Sequence, residues 1–367
     1  AARGARAEAE TRGRRAGRAR ARARPLEGST VAKPARARKG VDELTFHASA
    51  DFSWDELRVR AELVLHECGA GGAGGEGNGE GKGVGNGEGN GEGDGEGEGV
   101  VSRGGGTVDG AGGLDDHSTA ASRTGAEEQI AGWEAHFQRH AAAFARDGAG
   151  FFKERTFLLL EFPMLRAPRG ADGPLAVLEV GAGNGSSVLP LLSGNPTVRV
   201  HATDPSASAV VQTEATMGAA GLGERLTTEV QPTPAVPCTA AFGPFDLAMI
   251  VFTLSAVPGD GDGALLRGTA AAVRAGGAVL IRDYGWYDQR HMVDARESRR
   301  LVGARTPYEY LRPGGMHRRY YSLERISELA AAAGLRVEES RYLCVRLRNE
   351  RKQLTRDRVY VHAVLRK

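Results

Sequence analysis

The chain has 367 residues, of which 53 are glycine and 41% are hydrophobic, so the part able to build a core is shorter than the chain itself. Its formal net charge of +2 averages over unequal blocks: an Arg-rich opening, an acidic glycine-rich stretch, and residues 282–367 with 20 Lys/Arg against 11 Asp/Glu. Three cysteines without CxxC spacing argue against a disulfide framework and a metal site, and the longest apolar run, Leu247 to Val257, is too short for the roughly 20 residues of a membrane helix.

Residues 1–40 read as a basic tail, and an Ala/Arg-rich, acid-poor opening also resembles a transit segment. Localisation is therefore open between the cytoplasm and the mitochondrion or chloroplast. Within residues 41–68 the spacing of Leu57, Ala61, Val64 and Leu65 predicts a short helix. Residues 69–125 form a Gly/Glu-rich linker with too little apolar surface to offset the entropy of ordering. From residue 126 to 367 the composition is that of a folded domain. Trp133, Phe137 and Phe144 mark one helix, and Phe151 to Phe162 a second that Pro163 ends. Strands Ala176–Val180, Val198–Ala202, Phe245–Phe252 and Ala278–Arg282 then alternate with helices Ser187–Leu192, Ser206–Met217 and Ala264–Val273. This alternation predicts an α/β fold with a doubly wound, Rossmann-like sheet. After helix Leu323–Ala333, the period-two strands Arg336–Leu347 and Arg358–Leu365 would make that sheet mostly parallel with an antiparallel C-terminal strand.

Gly181, Gly183 and Gly185 directly follow a predicted strand, where glycine allows a tight turn and lets ligand groups meet the amides of the next helix. Asp204 ends the next strand, 19 residues after Gly185. There a carboxylate can accept from ribose hydroxyls, or can cap the helix beginning near Ser206. Both features also suit a nicotinamide enzyme. The Arg274-x-Gly276-Gly277 turn ahead of strand Ala278–Arg282 is similar to the later strands of class I methyltransferases and turns the reading that way.

Seven strings carry a closer likeness: Trp133-Glu134-Ala135-His136-Phe137, Phe151-Phe152-Lys153-Glu154-Arg155, Leu178-Glu179-Val180-Gly181, Phe252 to Val257, Arg282 to Asp288, Arg319-Tyr320-Tyr321 and Lys352-Gln353-Leu354-Thr355. In this order the chain resembles the tRNA 3-methylcytidine methyltransferases of the methyltransferase-like family. The resemblance implies S-adenosyl-L-methionine as cofactor and tRNA as substrate, methylated at position 32 of the anticodon loop. An accessory protein for tRNA selection, as some members use, is a further partner it allows. By the same resemblance Trp133, Phe137, Gly181, Gly183, Asp204 and Val251 would hold the cofactor. Two departures stand out: Phe137 replaces the usual Tyr, and no Asp follows Leu226 where the family contacts the adenine amine, which leaves Glu229 or Gln231 as substitutes.

Cytosine N3 has an in-plane lone pair and needs no base, so such an enzyme must flip the base, aim it and stabilise the cation that forms. The catalytic candidates are Asp283, placed to accept from the exocyclic amine or else paired with Arg282, together with Arg282 itself and Tyr284, which with Tyr287 would stack on the base or pack beneath the sheet. Lys153, Arg155, Arg319, Arg348, Arg351, Lys352 and Arg358 are the candidates for following an RNA backbone. The alternatives are a class I methyltransferase acting on a protein or small molecule, and a catalytically silent RNA-binding subunit.

Overall fold

The computed structural model describes residues 52–67, 117–147, 153–167, 173–231, 243–297, 299–300, 308–312, 315–349 and 354–367. The N-terminal tail and most of the Gly/Glu-rich linker lie outside these residues, as do Phe151 and Phe152. Helix α1 (Trp54–Glu67) covers the predicted short helix, and α2 (His117–Asp147) begins earlier than the boundary expected at residue 126. Among the described residues, only α3 (Leu158–Glu161) and a 3-10 turn, Pro163–Leu165, stand where a longer second helix was predicted.

The central unit then runs β1 (Leu175–Val180), α4 (Val188–Gly194), β2 (Val198–Asp204), α5 (Ala207–Ala219), β3 (Leu226–Val230), β4 (Phe245–Val251), α6 (Gly261–Ala272) and β5 (Val273–Tyr284). It continues through α7 (Gln289–Glu297), a small antiparallel sheet of β6 (Arg299–Arg300), β7 (Glu309–Leu311) and β8 (His317–Arg319), then α8 (Leu323–Ala332), β9 (Arg336–Asn349) and β10 (Leu354–Arg366). The main sheet has the order β3-β2-β1-β4-β5-β10-β9, with β10 antiparallel to both neighbours and the other pairs parallel. This is the doubly wound sheet with an antiparallel C-terminal strand that the sequence predicted. Strand β3 and the small sheet were not predicted: β3 is only half-buried and rich in Thr, and the small-sheet strands are too short to show a period.

Consecutive strand residues face opposite sides, which explains the unbroken apolar strands. Val177, Met249 and Leu280 pack with α4 and α5 residues such as Leu191, Leu192 and Met217, whereas Leu178, Ile250 and Ile281 pack with Leu265, Leu266, Ile326 and Leu329 of α6 and α8. The Arg274-x-Gly-Gly turn has a specific cause. Arg274 Nε donates to Asp246 Oδ1 at 2.6 Å, while Asp246 Oδ2 accepts from Ala176 N at 2.9 Å, tying the starts of β1, β4 and β5 together. A Cβ at Gly277 would lie 2.5 Å from the Asp246 carbonyl oxygen, so only glycine fits.

Candidate active site

The strand order reverses between β1 and β4, and at the carboxyl ends of these strands the loops diverge and leave a crevice. It is a cavity of about 620 Å³, bordered by the glycine loop, Asp204, Val251 to Thr253, Arg282, Tyr284, the 153–157 segment and one face of α2.

Gly181 turns the chain at φ +72°, and a Cβ there would collide with the Thr253 side chain. The loop amides are largely spent within the protein. Gly181 N and Ala182 N donate to the Thr203 carbonyl at 2.8 and 3.0 Å, Gly183 N to Asp204 Oδ2 at 2.8 Å, and Gly185 N to the Ala182 carbonyl at 3.1 Å. These four loop amides are thus taken up within the protein, which leaves the amides of the next helix as those a ligand could meet.

Asp204 does not cap α5. Its Oδ1 accepts from Ser206 N at 2.9 Å, and Ser206 is the cap, its hydroxyl accepting from Ala209 N at 3.1 Å. Each Asp204 oxygen accepts one backbone bond and retains a second acceptor site. Burial lifts its pKa to about 6, against the lowering effect of the Ser206 and Gly183 amides.

Helix α2 roofs this half of the pocket. Trp133 and Phe137 lie one turn apart with ring centroids 6.3 Å apart, and the Phe137 ring covers Gly183. Glu134 docks the helix: it accepts from Ser206 Oγ at 2.6 Å, Ser208 N at 3.2 Å and the Ser208 hydroxyl, at the amino end of α5. Although burial raises its pKa, these bonds bring it down to about 2. Gln212 Nε2 donates to the Phe137 carbonyl at 2.9 Å, and Gln129 bridges α2 to the Gly315 carbonyl at 2.7 Å and His317 N at 2.8 Å. Sequence reasoning missed Glu134 and Gln129 because their partners are remote. Of the two substitutes for the missing acidic residue, Gln231 borders the cavity, while Glu229 turns to His201 Nε2 at 3.3 Å.

The other half has an aromatic wall of Phe157, Phe252, Tyr284 and Tyr360, with Lys153, Glu154, Arg155, Glu161 and Arg282 around it. Phe252 holds φ +57°, an uncommon conformation for an aromatic residue, and its ring lies 5.1 Å from the Arg155 guanidinium and 5.6 Å from that of Arg282. Arg282 grips Glu161 bidentately, Nε to Oε2 at 2.8 Å and Nη2 to Oε1 at 3.2 Å, with its guanidinium 3.7 Å from the Tyr360 ring centroid. Behind the loop, burial pushes the Glu179 carboxyl up to about 8 despite the nearby Arg155.

Several expectations need correction. Asp283 does not border the cavity and does not pair with Arg282. Strand alternation sends Arg282 and Tyr284 to the pocket and Asp283 to the opposite face, where it is fully buried and accepts from Ser255 N at 3.1 Å and Tyr284 N at 2.8 Å. Arg319, 2% exposed, is enclosed by Asp262 and Glu309 at 2.7 Å each, and Arg358 is buried against Asp288 at 2.8 Å, so neither faces RNA. Tyr287 is also away from the cavity, its hydroxyl donating to Glu62 Oε1 at 2.9 Å. Arg351, Lys352 and the Arg348 side chain lie outside the described residues. Lys153 is exposed and Arg155 half-buried at the cavity, where Arg155 donates to Ser187 Oγ at 3.1 Å. Among the described residues no cluster suited to a metal ion occurs, and no helix is long and apolar enough to cross a membrane.

A methyltransferase-domain family profile matches residues 178–279, which contain the glycine loop, Asp204, Val251 and the Gly276-Gly277 turn. The fold is that of class I methyltransferases, and the cofactor of the matched domain is S-adenosyl-L-methionine. The pocket suits it: Asp204 keeps free acceptor sites beside a surface closed over by Trp133 and Phe137, and the cavity extends beyond to a separate aromatic half.

Among curated proteins, the chain is 27% identical over 225 residues to human tRNA N(3)-cytidine methyltransferase METTL6, covering 60% of this chain and 76% of that protein. It is 31% identical over 211 residues to human tRNA N(3)-cytidine methyltransferase METTL2B, covering 55% and 51%. It is 30% identical over 192 residues to O-methyltransferase 3 of Dictyostelium discoideum, covering 51% of this chain but 42% of that protein. The chain therefore spans about half or less of the length of two of these relatives.

Proposed function

We propose that the protein is an S-adenosylmethionine-dependent tRNA methyltransferase that forms 3-methylcytidine, at position 32 of the anticodon loop. The observation that carries this reading is a second, aromatic half of the pocket, flanked by Lys153 and Arg155, next to the cofactor half. A flipped pyrimidine needs such rings to stack on, and its phosphates need such cations. The names of the METTL6 and METTL2B relatives support the choice of tRNA and of cytidine N3.

Bound in the loop half, the cofactor supplies an electrophilic methyl group. Asp204 would accept from its ribose hydroxyls, Trp133 and Phe137 would cover it, Val251 would pack on its adenine, and Gln231, which borders the cavity, would meet the adenine edge. Because cytosine N3 is unprotonated at neutral pH, the protein need not remove a proton. Tyr284, Phe252 and Tyr360 would hold the ring, and the fixed Arg282–Glu161 pair would set its orientation.

The test is methyl transfer to tRNA from a strain lacking 3-methylcytidine, with the product mapped by mass spectrometry. Labelled cytidine in the anticodon loop is the expected result, and its absence refutes the reading. A small-molecule methyltransferase is a second reading, favoured by the likeness to O-methyltransferase 3 and by the burial of Arg319 and Arg358 away from any RNA surface. Transfer to a phenol or carboxylate but not to tRNA would establish it.

A further inference from the structure

With Asp283 turned to the far face of the sheet, the aromatic half of the pocket needs another group to meet the pyrimidine edge. Resting on the cytidine reading above, we infer that Glu161 recognises the exocyclic amine of the target cytosine and selects that base. Glu161 borders the cavity, its side chain 6% exposed, and each of its oxygens accepts one bond from Arg282, at 2.8 and 3.2 Å. Each oxygen keeps an acceptor site for a ligand.

The pair is held firmly. The Arg282 guanidinium lies 3.7 Å from the Tyr360 ring centroid and 5.0 Å from that of Phe157, so the carboxylate it grips has a fixed direction beside the aromatic wall. The other cavity acids are less suited: Asp204, at the end of β2, lies beside the glycine loop in the cofactor half, and Glu154 is only half-buried on the 153–157 segment.

A carboxylate that can only accept matches the amine at position 4 of cytosine and repels the carbonyl uracil has there. It also suits the product. The N3 lone pair forms the new N–CH3 bond, the electron pair of the breaking S–CH3 bond stays on sulfur, and the positive charge passes from sulfur to the ring. No proton moves. That charge is shared with the exocyclic nitrogen, where the carboxylate would balance it.

The test compares kcat/KM on two anticodon stem-loop RNAs, one with cytidine at the target position and one with 2-pyrimidinone, which keeps N3 but lacks the amine. The penalty for losing the amine is expected to shrink about tenfold or more in Glu161→Gln relative to the unsubstituted protein. An equal penalty in both overturns the inference and leaves Glu161 as a support for Arg282. Since Gln leaves Arg282 without an ionic partner, Glu161→Asp serves as the second variant, with cofactor affinity by calorimetry reporting its folding. It retains the charge but retracts it by one methylene, so normal cofactor affinity with weakened discrimination is expected. Unchanged discrimination in Glu161→Asp overturns the inference. If the unsubstituted protein methylates neither RNA, the cytidine reading itself fails, and this inference with it.

Discussion

Glu134 offers a direct way to ask whether the roof of the pocket is part of the cofactor site. Replacing it with Ala removes the bonds to Ser206 Oγ, Ser208 N and the Ser208 hydroxyl, and with them a negative charge at the amino end of α5. A carboxyl lowered from 4.5 to about 2 corresponds to roughly 3 kcal/mol at neutral pH, at about 1.4 kcal/mol per unit. Glu134 is partly open to water, and screening reduces this to about 1–2 kcal/mol. Since Trp133 and Phe137 ride on the same helix, undocking it should weaken cofactor affinity about 5- to 30-fold by calorimetry. Hydrogen exchange should quicken over residues 125–141. The folded pKa is depressed, so the stabilisation is complete above about 4.5 and fades as pH falls toward about 2; the difference between Glu134→Ala and the unsubstituted protein should narrow over that interval. Unchanged affinity together with unchanged exchange in α2 would refute the claim that Glu134 holds the roof in place.

Asp204→Asn should reduce S-adenosylmethionine affinity by about 10- to 100-fold. In the unsubstituted protein that affinity should fall as pH drops through about 6, where the buried Asp204 carboxyl takes up a proton and loses acceptor capacity; a flat calorimetric profile from pH 7.5 to about 5 would contradict this. Arg319→Met leaves Asp262 and Glu309 buried without their shared cation and should cost about 3–5 kcal/mol in urea unfolding, while tRNA affinity of the folded fraction stays unchanged. Lys153→Ala combined with Arg155→Ala should weaken tRNA binding and flatten its salt dependence by about 1–2 in log-log slope, with cofactor affinity intact; equal loss of both would remove the separation between the two halves of the pocket.

Much of the fold was legible in the sequence because it depends on local patterns. Strand and helix periods located every parallel strand except β3, whose Thr-Thr-Glu run lacks an apolar stripe. The glycine loop and Asp204 were legible for a similar reason, since they follow well-marked strands; Trp133, Phe137 and Val251 came from the family resemblance, and all of them border the cavity. The substrate half was less legible. Asp283 adjoins Arg282 in sequence, yet the two side chains leave opposite faces of β5, and a reading that treats neighbours as a unit cannot separate them.

By itself the sequence determined the doubly wound sheet and the glycine loop that follows its first strand, because both follow from spacing along the chain, whereas Trp133, Phe137 and Val251 entered only through the family resemblance. Only the tertiary structure decided which charges are available to a ligand. Arg319 meets Asp262 and Glu309 and Arg358 meets Asp288, so residues that read as a basic surface are in part buried ion pairs, and Arg282, read as a catalytic candidate or a partner of Asp283, meets Glu161 instead. Burying a charge requires a partner close in space, and nothing in the spacing of these residues along the chain specifies that partner.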